Sequence, residues 1–340
     1  MQPSCPGNVL EVHLDDANLL ERLANDTRAG LTSRPKVLAP KWLYDERGCD
    51  LFDEITRLPE YYPTRRERAI LIGAADEIAD LSGADTLVEL GSGTSDKTRV
   101  LLDALSKAGS LRRYVPFDVS EPTLRGASKL ISDAYPQTQV HAVVGDFEQH
   151  LGLLPKGGCR LVAFLGSTIG NLDPTQRHSL LSELADGLGN KDWLLLGTDL
   201  VKDPTRLVAA YNDGAGVTAE FNLNVLRVLN EALGADFHPG SFSHVAVWNE
   251  AHERMEMRLR SKDDQTVTLS ALDLVVDFED GEEMRTEIST KFRREGLRDE
   301  MSRAGLVLGR WWTDADEDYG VSLWRRPAGK LRSATRRGDG

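Results

Sequence analysis

The stretch TLVELGSGTSDKT, residues 86–98, decides the fold because it has the pattern of a buried strand, a glycine turn and the start of a helix. A loop in that position of an α/β sheet is where nucleotide-like ligands bind, since the backbone can approach the ligand closely. Gly91 with Lys97 approximates a phosphate-binding loop, and Gly91 with Gly93 approximates a dinucleotide-binding turn. Asp96 stands where each of these motifs requires a further glycine. The identity of the ligand therefore depends on the rest of the chain.

Downstream of this stretch, apolar runs alternate with helical segments, which is the pattern of a doubly wound α/β sheet. The runs are continuous, as expected for strands buried on both faces of a parallel sheet. They are YVPFDV (114–119), VHAVVGDF (140–147), RLVAFLGS (160–167) and WLLLGTDL (193–200). One connecting helix is clearly marked, with Asp173 as its cap, Pro174 in its first turn and Gly187 near its end.

The helix that leads into the first strand places the start of this sheet domain. Its sequence is PTRRERAILIGAADEIADL, residues 63–81. Thr64 and Glu67 have the spacing of a capping box, with apolar residues behind them. We therefore expect the sheet domain to begin near residue 65.

A change of pattern after residue 201 predicts a second domain. SHVAVWN, RMEMRLRS, TVTLSALDLVVDF and EMRTEIST alternate in polarity, which predicts an antiparallel sheet with one solvated face. Near the end of the chain, LVLGRWWTD and YGVSLWRR predict a hairpin that closes the first sheet. We expect a Rossmann-like sheet domain of residues 65–201 plus 292–326, an α+β substrate-binding domain of residues 1–64 plus 202–291, and a flexible tail of residues 327–340.

The composition argues against several classes of protein. The 340 residues include 40% apolar ones and carry a formal net charge of −13. Nucleic-acid binding is disfavoured because it needs a dominant basic patch, and the basic cluster of this chain lies in its tail. There is no apolar run of about 18 residues that would predict a membrane span.

The cysteines and histidines bear on the compartment and on metal binding. Three scattered cysteines, Cys5, Cys49 and Cys159, fit a reducing cytoplasm, and no H-E-x-x-H or C-x-x-C motif suggests a bound metal. We expect a cytoplasmic protein with small-molecule partners and, by default, a monomer.

Charge distinguishes the candidate ligands of the glycine turn. Asp96 would place a negative charge beside a phosphate, which disfavours an NTPase even though Asp199 ends LLLGTD in the manner of a magnesium-binding acid. The missing third glycine disfavours a dinucleotide. S-adenosylmethionine carries a positive sulfonium and no phosphate. It therefore needs the close backbone approach that Gly91 and Gly93 allow, without an anion cradle.

Two acidic residues at strand ends support an adenosyl cofactor. Asp118 ends the second strand, where a carboxylate can accept both ribose hydroxyls, and Asp146 ends the third, where it can meet the adenine amine. Either acid alone would be interpreted as an ordinary turn residue. Together with the glycine turn they favour S-adenosylmethionine as the cofactor.

Longer strings make the chain similar to a known family. PKWLYDERGCDLFDEITRLPEYYPTR, VELGSGTSDKTR, FLGSTIGNL, LLLGTDLVKD and EEMRTEISTKF resemble the histidine N-alpha-methyltransferases of ergothioneine biosynthesis. The resemblance spans roughly residues 15–326. It implies a methyltransferase fold and the S-adenosylmethionine-dependent trimethylation of the amino group of L-histidine to hercynine.

The resemblance also implies roles for individual residues. Asn171 and Tyr211 would hold the substrate carboxylate. Tyr44 and Tyr61 would lie near the reacting amino group, with Asn171 completing the catalytic neighbourhood. Glu287 and Ser289 would bind the imidazole. The cofactor-binding residues, to which the glycine turn adds Gly93, would be Gly91, Gly93, Lys97, Asp118, Asp146 and Phe147.

The residues themselves leave alternatives open. In EMRTEIST a period of two puts Arg285, Glu287 and Ser289 on one face, and a carboxylate with a hydroxyl suits the two unlike nitrogens of an imidazole. From spacing alone, a solvated strand face is the preferred interpretation. Tyr61 could plug a loop against the core, Asn171 could shape a turn, and Lys97 could be a solvated helix residue.

Two alternatives to the implied function also stay open. One is a methyltransferase for another amino acid or small amine, and the other is a non-catalytic relative that keeps only cofactor binding. Asn171 together with the Glu287 and Ser289 pair argues against the second.

Overall fold

Eight strands of the described chain form one large sheet. The structure is a computed structural model that describes residues 8–14, 16–93 and 97–327. The predictions for Asp96, for Cys5 and for the tail from residue 328 onward lie outside the described residues. The strands of the large sheet are β1 (Val9–Val12), β2 (Thr86–Leu90), β3 (Arg113–Asp118), β4 (Gln139–Val144), β5 (Arg160–Phe164), β6 (Trp193–Asp199), β12 (Val307–Thr313) and β13 (Tyr319–Arg325).

The order of these strands makes the sheet doubly wound, which confirms the predicted fold class. The order is β1-β4-β3-β2-β5-β6-β13-β12, and pairing is parallel from β1 through β6. The chain winds outward from β2 in both directions, so the order reverses between β2 and β5. Ligands bind at such a reversal, beyond the carboxyl ends of the strands. The loops after β2 to β6 therefore share one edge of the sheet.

Ten α-helices occur in the described chain, and most of them cover the two faces of this sheet or build the inserted segment. They are α1 (Asp16–Thr32), α2 (Glu46–Arg57), α3 (Pro63–Ser82), α4 (Arg99–Lys107), α5 (Glu121–Ala134), α6 (Phe147–His150), α7 (Pro174–Gly187), α8 (Pro204–Tyr211), α9 (Val217–Leu233) and α10 (Arg294–Arg303). The predicted start of α7 is confirmed, because Asp173 accepts hydrogen bonds from the backbone N–H groups of Thr175 and Gln176.

The predicted capping box before the first long helix is wrong. Helix α3 begins at Pro63 with Tyr62 as its cap, and no side chain caps it. Thr64 therefore lies inside the first turn. Glu67, the other residue of the predicted box, is fully buried and bonds to distant partners described below. A local pattern was overridden by tertiary contacts.

The inserted antiparallel strands divide into two sheets where the sequence predicted one. Strands β7 (Phe242–Asn249), β8 (Arg254–Ser261) and β11 (Glu283–Thr290) form a three-stranded sheet, and β9 (Gln265–Leu269) pairs only with β10 (Leu274–Phe278). The run TVTLSALDLVVDF is thus two strands, separated by a 3₁₀ turn at Ser270–Leu272. The left-handed Asp273 that follows the turn lets the chain reverse.

The sequence predicted the strands at one edge of the large sheet but not the strand at the other edge. The predicted hairpin is confirmed, because β13 pairs antiparallel with β6 and β12 pairs with β13. Strand β1 was not predicted, although it pairs in parallel with β4 at the opposite edge. Within the described ranges, none of the helices has the length and hydropathy of a membrane span.

One apolar core joins the amino-terminal segment to the inserted residues. Leu43 and Ile55 from the amino-terminal part lie in the same buried cluster as Phe221, Leu229 and Met257. The large sheet has its own buried clusters on its two faces. Tyr61 and Tyr211, which the resemblance places in the substrate site, belong to this shared core.

Candidate active site

The glycine turn after β2 leaves open space at the sheet edge. Gly91 and Gly93 have φ angles of 68° and 48°, a region that favours glycine. Apart from the adjoining residues, no heavy atom of the described chain lies within 4 Å of the place where a Cβ would stand at either residue. A ligand can therefore approach this backbone closely, as the adenosyl cofactor predicted from the sequence requires.

Asp118, at the end of β3, is tied to the same turn. Its carboxylate accepts hydrogen bonds from the backbone N–H groups of Gly93 (2.9 Å) and Ser120 (3.1 Å). Burial raises the pKa of Asp118, although these backbone N–H groups oppose the rise. Two carboxylate oxygens can accept about four hydrogen bonds, so capacity remains for a ribose diol.

Asp146 and Phe147 follow β4, as predicted, but Asp146 already has partners. Its carboxylate caps α6 by accepting from the N–H of Glu148 (2.8 Å), and it forms an ion pair with Arg22 from α1. The Phe147 ring packs edge to face on Phe164, with centroids 5.4 Å apart. An adenine amine at Asp146 would share the carboxylate with Arg22, a residue the sequence did not suggest.

Lys97 lies in an ion pair with a buried glutamate. Its Nζ is 2.5 Å from Oε2 of Glu67, whose side chain is fully buried. Glu67 also accepts from the N–H of Gly166 (2.7 Å) and from the hydroxyl of Tyr319 (2.8 Å). A Cβ at Gly197 would stand 2.0 Å from Glu67 Oε1, so any larger residue there would displace the Glu67 carboxylate. Glu67 thus connects α3, the glycine loop and the loop after β5.

Glu89, the acidic residue of β2, bonds to the residue that follows the glycine loop. It accepts hydrogen bonds from the hydroxyls of Tyr114 (2.5 Å) and Thr98. Burial raises the pKa of Glu89 to about 7. Its carboxyl is therefore bonded to the end of the glycine loop through Thr98 and to the neighbouring strand β3 through Tyr114.

Tyr211 and Ser289, both predicted to bind substrate, are hydrogen-bonded to each other. The distance from Tyr211 Oη to Ser289 Oγ is 2.8 Å. Lys291 Nζ donates to both oxygens, at 2.8 Å each. The Lys291 side chain is fully buried, and its ammonium lies 4.7 Å from the centroid of the Tyr211 ring. Lys291 was not predicted, although it continues the alternation of Glu287 and Ser289 by one step.

Asp199, at the end of β6, balances this ammonium. Its Oδ2 is 2.9 Å from Lys291 Nζ, and its Oδ1 is 2.5 Å from Lys202 Nζ. The hydroxyl of Tyr62 donates to Asp199 Oδ2 at 2.8 Å. The sequence had offered Asp199 only as an acid of the disfavoured NTPase. In the structure it is an ion-pair partner of two lysines.

Glu287 is buried, with 7% of its surface exposed, and it makes no hydrogen bond to any described residue. Burial raises the pKa of Glu287 to about 7, and the Lys291 ammonium limits the rise. A β-bulge at Thr286 shifts the register between Arg285 and Glu287. The predicted common face of Arg285, Glu287 and Ser289 is therefore broken before Glu287, while Glu287 and Ser289 still alternate regularly.

The bulge has its own partners. The Thr286 hydroxyl bonds to Asn222 Oδ1 (2.5 Å) and Met257 O (3.1 Å). Asn222 in turn contacts His244, whose other ring nitrogen meets the carbonyl of Tyr211 (2.8 Å). These buried bonds hold Glu287 and Tyr211 in a fixed relation.

Tyr44 and Tyr61 lie in the same aromatic cluster as Tyr211. The Tyr61 ring meets that of Tyr211 edge to face at 6.4 Å, and Phe52 packs on both Tyr61 (6.1 Å) and Tyr44 (5.5 Å). Burial raises the pKa of both tyrosines well above the usual value, and for Tyr44 the Glu287 carboxylate adds to the effect. Both hydroxyls therefore stay protonated at neutral pH.

Asn171 ends a 3₁₀ turn, Thr168–Asn171, that follows β5. The preceding Ser167 has a φ of 59°, and its Oγ accepts from the N–H of Asp199 (3.0 Å). The turn packs so closely on β11 that a Cβ at Gly170 would stand 2.8 Å from Thr290 O. Asn171 is half-buried, and its amide has no hydrogen bond to a described residue.

Three carboxylates outside this site converge in the β12–β13 turn. One oxygen from each of Asp314, Asp316 and Asp318 lies within 4.8 Å of the others. Arg66 is 2.5–3.4 Å from all three, and Arg206 also binds Asp318. Each of these acids therefore has at least one arginine partner.

Comparison with known proteins identifies the family. A family model described as histidine-specific methyltransferase, SAM-dependent, matches residues 23–326. The histidine N-alpha-methyltransferase of Mycolicibacterium smegmatis is 59% identical over 303 residues, which is 89% of this chain and 94% of that protein. The protein of the same name from Mycobacterium tuberculosis is 56% identical over 301 residues, covering 88% and 94%.

A fungal protein is a more distant relative. Ergothioneine biosynthesis protein 1 of Neurospora crassa is 34% identical over 300 residues, which is 85% of this chain but 33% of that longer protein. The matches confirm the resemblance found in the sequence and the predicted S-adenosylmethionine cofactor. This chain belongs to the SAM-dependent, histidine-specific methyltransferase family.

Proposed function

We propose that the protein trimethylates the α-amino group of L-histidine to hercynine, a step of ergothioneine biosynthesis. The observation that carries the proposal concerns Glu287. Its carboxyl is buried on the same strand face as Ser289 and makes no hydrogen bond to the residues that the structure describes. A buried acid without a partner costs free energy unless a ligand supplies the missing bond. An imidazole N–H supplies such a bond.

The cofactor would lie along the carboxyl edge of the sheet. Gly91 and Gly93 offer close backbone approach, Asp118 retains acceptor capacity for the ribose, and Asp146 with Phe147 would meet the adenine. Lys97 would contact the cofactor from its ion pair with Glu67. S-adenosylmethionine supplies a methyl group on a sulfonium at this edge.

The substrate would bind beside it, in the segment that the shared apolar core supports. Tyr211 and Asn171 would hold the carboxylate, and Glu287 with Ser289 would hold the imidazole ring. Tyr61 and Tyr44 would then lie near the amino group between these two anchors. We propose on this basis that residues 1–64 plus 202–291 form the substrate-binding domain and residues 65–201 plus 292–326 the methyltransferase domain.

The protein has to align the neutral α-amino group of histidine so that its nitrogen can attack the methyl carbon and displace the sulfur of the cofactor. Alignment contributes about 7–11 kcal/mol at best. Tyr44 and Tyr61 position the amine by hydrogen bonds rather than accept its protons, because their raised pKa values keep them protonated. The protons pass to water. Aromatic faces around the product stabilise the growing quaternary ammonium by about 0.5–2 kcal/mol.

The competing function is methylation of another amino acid or small amine. To decide, the protein is incubated with S-adenosylmethionine and each of the common amino acids, and the products are weighed by mass spectrometry. Three added methyl groups on histidine alone are expected. Methylation of a different amine, or no product with any, would refute the proposal.

A variant sharpens this experiment. Glu287→Ala is expected to lower turnover of histidine sharply while S-adenosylhomocysteine still binds, since Glu287 lies on β11 and the glycine turn follows β2. Unchanged steady-state activity would remove Glu287 from the substrate site. We further propose a cytoplasmic monomer without nucleic-acid or membrane partners, in keeping with the net charge of −13.

A further inference from the structure

We propose that Lys291 is a positioning residue that sets the hydroxyls of Tyr211 and Ser289 so that the pair donates a hydrogen bond to the substrate. The inference rests on the proposed function, because it takes these two hydroxyls to face histidine. It concerns a residue that neither the sequence patterns nor the family resemblance singled out.

The three N–H groups of Lys291 are all used inside the protein. They go to Asp199 Oδ2 at 2.9 Å and to Tyr211 Oη and Ser289 Oγ at 2.8 Å each. An ammonium has three donors and no acceptor. Lys291 therefore has no N–H left for the substrate and acts on it through the two hydroxyls.

The ammonium determines the direction of the remaining protons. Each hydroxyl oxygen accepts from Lys291, and the two oxygens are 2.8 Å apart, so one hydroxyl donates to the other. The hydroxyl that receives both bonds has its two lone pairs filled and only its proton to offer. This result holds whichever of Tyr211 and Ser289 donates to the other. The pair thus presents a donor to the ligand in both arrangements.

A neutral imidazole matches this arrangement together with Glu287. Its ring offers one N–H and one bare nitrogen. When Tyr211 donates to Ser289, the bare nitrogen takes the Ser289 proton and the ring N–H goes to the Glu287 carboxylate. Tyr211 then has no proton left for the substrate carboxylate, so in this arrangement Asn171 would hold that carboxylate. If Lys291 were absent, both hydroxyls could rotate and accept, so the site would no longer distinguish the two ring nitrogens.

Lys291 also acts on Glu287 by charge. The titratable groups that interact with Glu287 are Lys291, Tyr44, Tyr61 and Tyr211. The tyrosines stay protonated, so Lys291 is the charged group among them. Its ammonium lowers the pKa of Glu287 against the effect of burial. Removal of the ammonium would raise that pKa and extend the pH range in which Glu287 is protonated.

The test compares two lysine variants of the full-length protein. Lys291→Met removes the donors and the charge while keeping chain length. Lys202→Met is the matched control, since it also takes one cation from Asp199 but bonds to neither Tyr211 nor Ser289. Initial rates with histidine give KM, kcat and the pH profile of kcat/KM, and calorimetry gives the affinity for S-adenosylhomocysteine.

Lys291→Met is expected to raise the KM for histidine by up to about tenfold, the size expected for a lost hydrogen bond between neutral groups. The acid limb of its kcat/KM profile is expected to move to higher pH, while S-adenosylhomocysteine binding is retained. In Lys202→Met the acid limb stays at the wild-type pH. Lys291→Arg, which restores charge and donors, is expected to recover part of the loss.

Wild-type KM and an unmoved acid limb in Lys291→Met would overturn the inference. Equal shifts in both lysine variants would also overturn it, because they would assign the effect to Asp199 alone. If Lys291→Met does not fold, the wild-type protein is tested with pyrrolylalanine, whose ring has an N–H but no acceptor nitrogen. At least about tenfold weaker binding than histidine is expected, and equal binding would overturn the inference.

These outcomes are separate from those of the proposed function. Wild-type protein that does not methylate histidine refutes the function itself. Wild-type protein that methylates histidine, with Lys291→Met unchanged, refutes only the role of Lys291.

Discussion

Replacing Glu287 with glutamine is expected to stabilise the free protein while removing recognition of the substrate ring. Burial raises the pKa of Glu287 from an ordinary 4.5 to about 7. At about 1.36 kcal/mol per pKa unit, this difference corresponds to about 3 kcal/mol that opposes folding when the carboxyl is ionised. Glutamine keeps the shape and has no charge to desolvate, so the variant avoids this cost.

The effect depends on pH in a definite direction. In the unfolded chain the carboxyl ionises around its ordinary pKa of 4.5, and in the folded protein at about 7. Between these values the folded state binds more protons than the unfolded state, so this carboxyl makes the wild type less stable as pH rises. The advantage of Glu287→Gln is therefore absent below pH 4.5 and complete above about pH 7.

Urea unfolding of both proteins at about pH 5 and about pH 8 measures the difference. The variant should be more stable by about 3 kcal/mol at the higher pH and by much less at the lower one. Glu256→Gln is the control with opposite sign. Its carboxylate is paired with Arg254 and Arg258, which hold its pKa at about 2, so its loss should destabilise the protein at pH 8.

Two results would refute this reasoning. If Glu287→Gln were no more stable than the wild type at about pH 8, the carboxylate would have a compensating partner in the free protein. If the stabilised variant kept the wild-type KM for histidine, the unpaired carboxyl would not be reserved for the substrate. The expected result is a gain in stability together with a loss in binding, as is common where a functional site is strained.

Three further predictions address other parts of the molecule. Asp118→Ala should weaken S-adenosylhomocysteine binding by more than about tenfold in calorimetry, because it removes the ribose acceptor and releases Gly93; equal affinities would refute this role. Glu67→Gln should lower the free energy of unfolding by about 1–3 kcal/mol, since Lys97 loses its buried partner; an unchanged urea midpoint would refute it. Removal of divalent metals with a chelator should change neither activity nor the unfolding midpoint, because the acids of the β12–β13 turn already form ion pairs with Arg66 and Arg206; a lower midpoint would refute that account.

The sequence predicted those parts of the fold that depend on local pattern. Strand β2 lies at the start of TLVELGSGTSDKT, where a buried strand was predicted, and α7 starts at its predicted cap. Both depend on short-range effects, namely apolar continuity in a buried strand and a side chain that binds the first free N–H groups. The capping box at Thr64 and Glu67 had the same kind of local support and is wrong. There the half-buried Lys97 and the backbone N–H of Gly166 bind the Glu67 carboxylate instead.

The site could be predicted only where its residues share a strand or a loop. Glu287 and Ser289 are two residues apart, and their alternation survives the bulge at Thr286. Their surroundings come from far along the chain, since Tyr211 is 80 residues from Lys291 and Tyr62 is 137 residues from Asp199. One sequence contains no signal for such pairings. Of these residues, only Lys291 could have been predicted from the sequence, because it lies two residues after Ser289 and continues the same alternation.

Asp199 shows why the cofactor edge and the substrate side are mechanically linked. It ends the last parallel strand, accepts hydrogen bonds from Tyr62 and balances Lys291 at the exit of the inserted strand. Its backbone N–H also fixes the strained Ser167 that precedes the turn of Asn171. The residues proposed to bind the substrate carboxylate and ring are thus connected to Asp199 through Lys291 and Ser167. A shift of the inserted segment relative to the sheet would move Lys291 away from Asp199 before it moved any group on the glycine turn. We therefore expect substitutions at Asp199 to impair histidine binding more than cofactor binding.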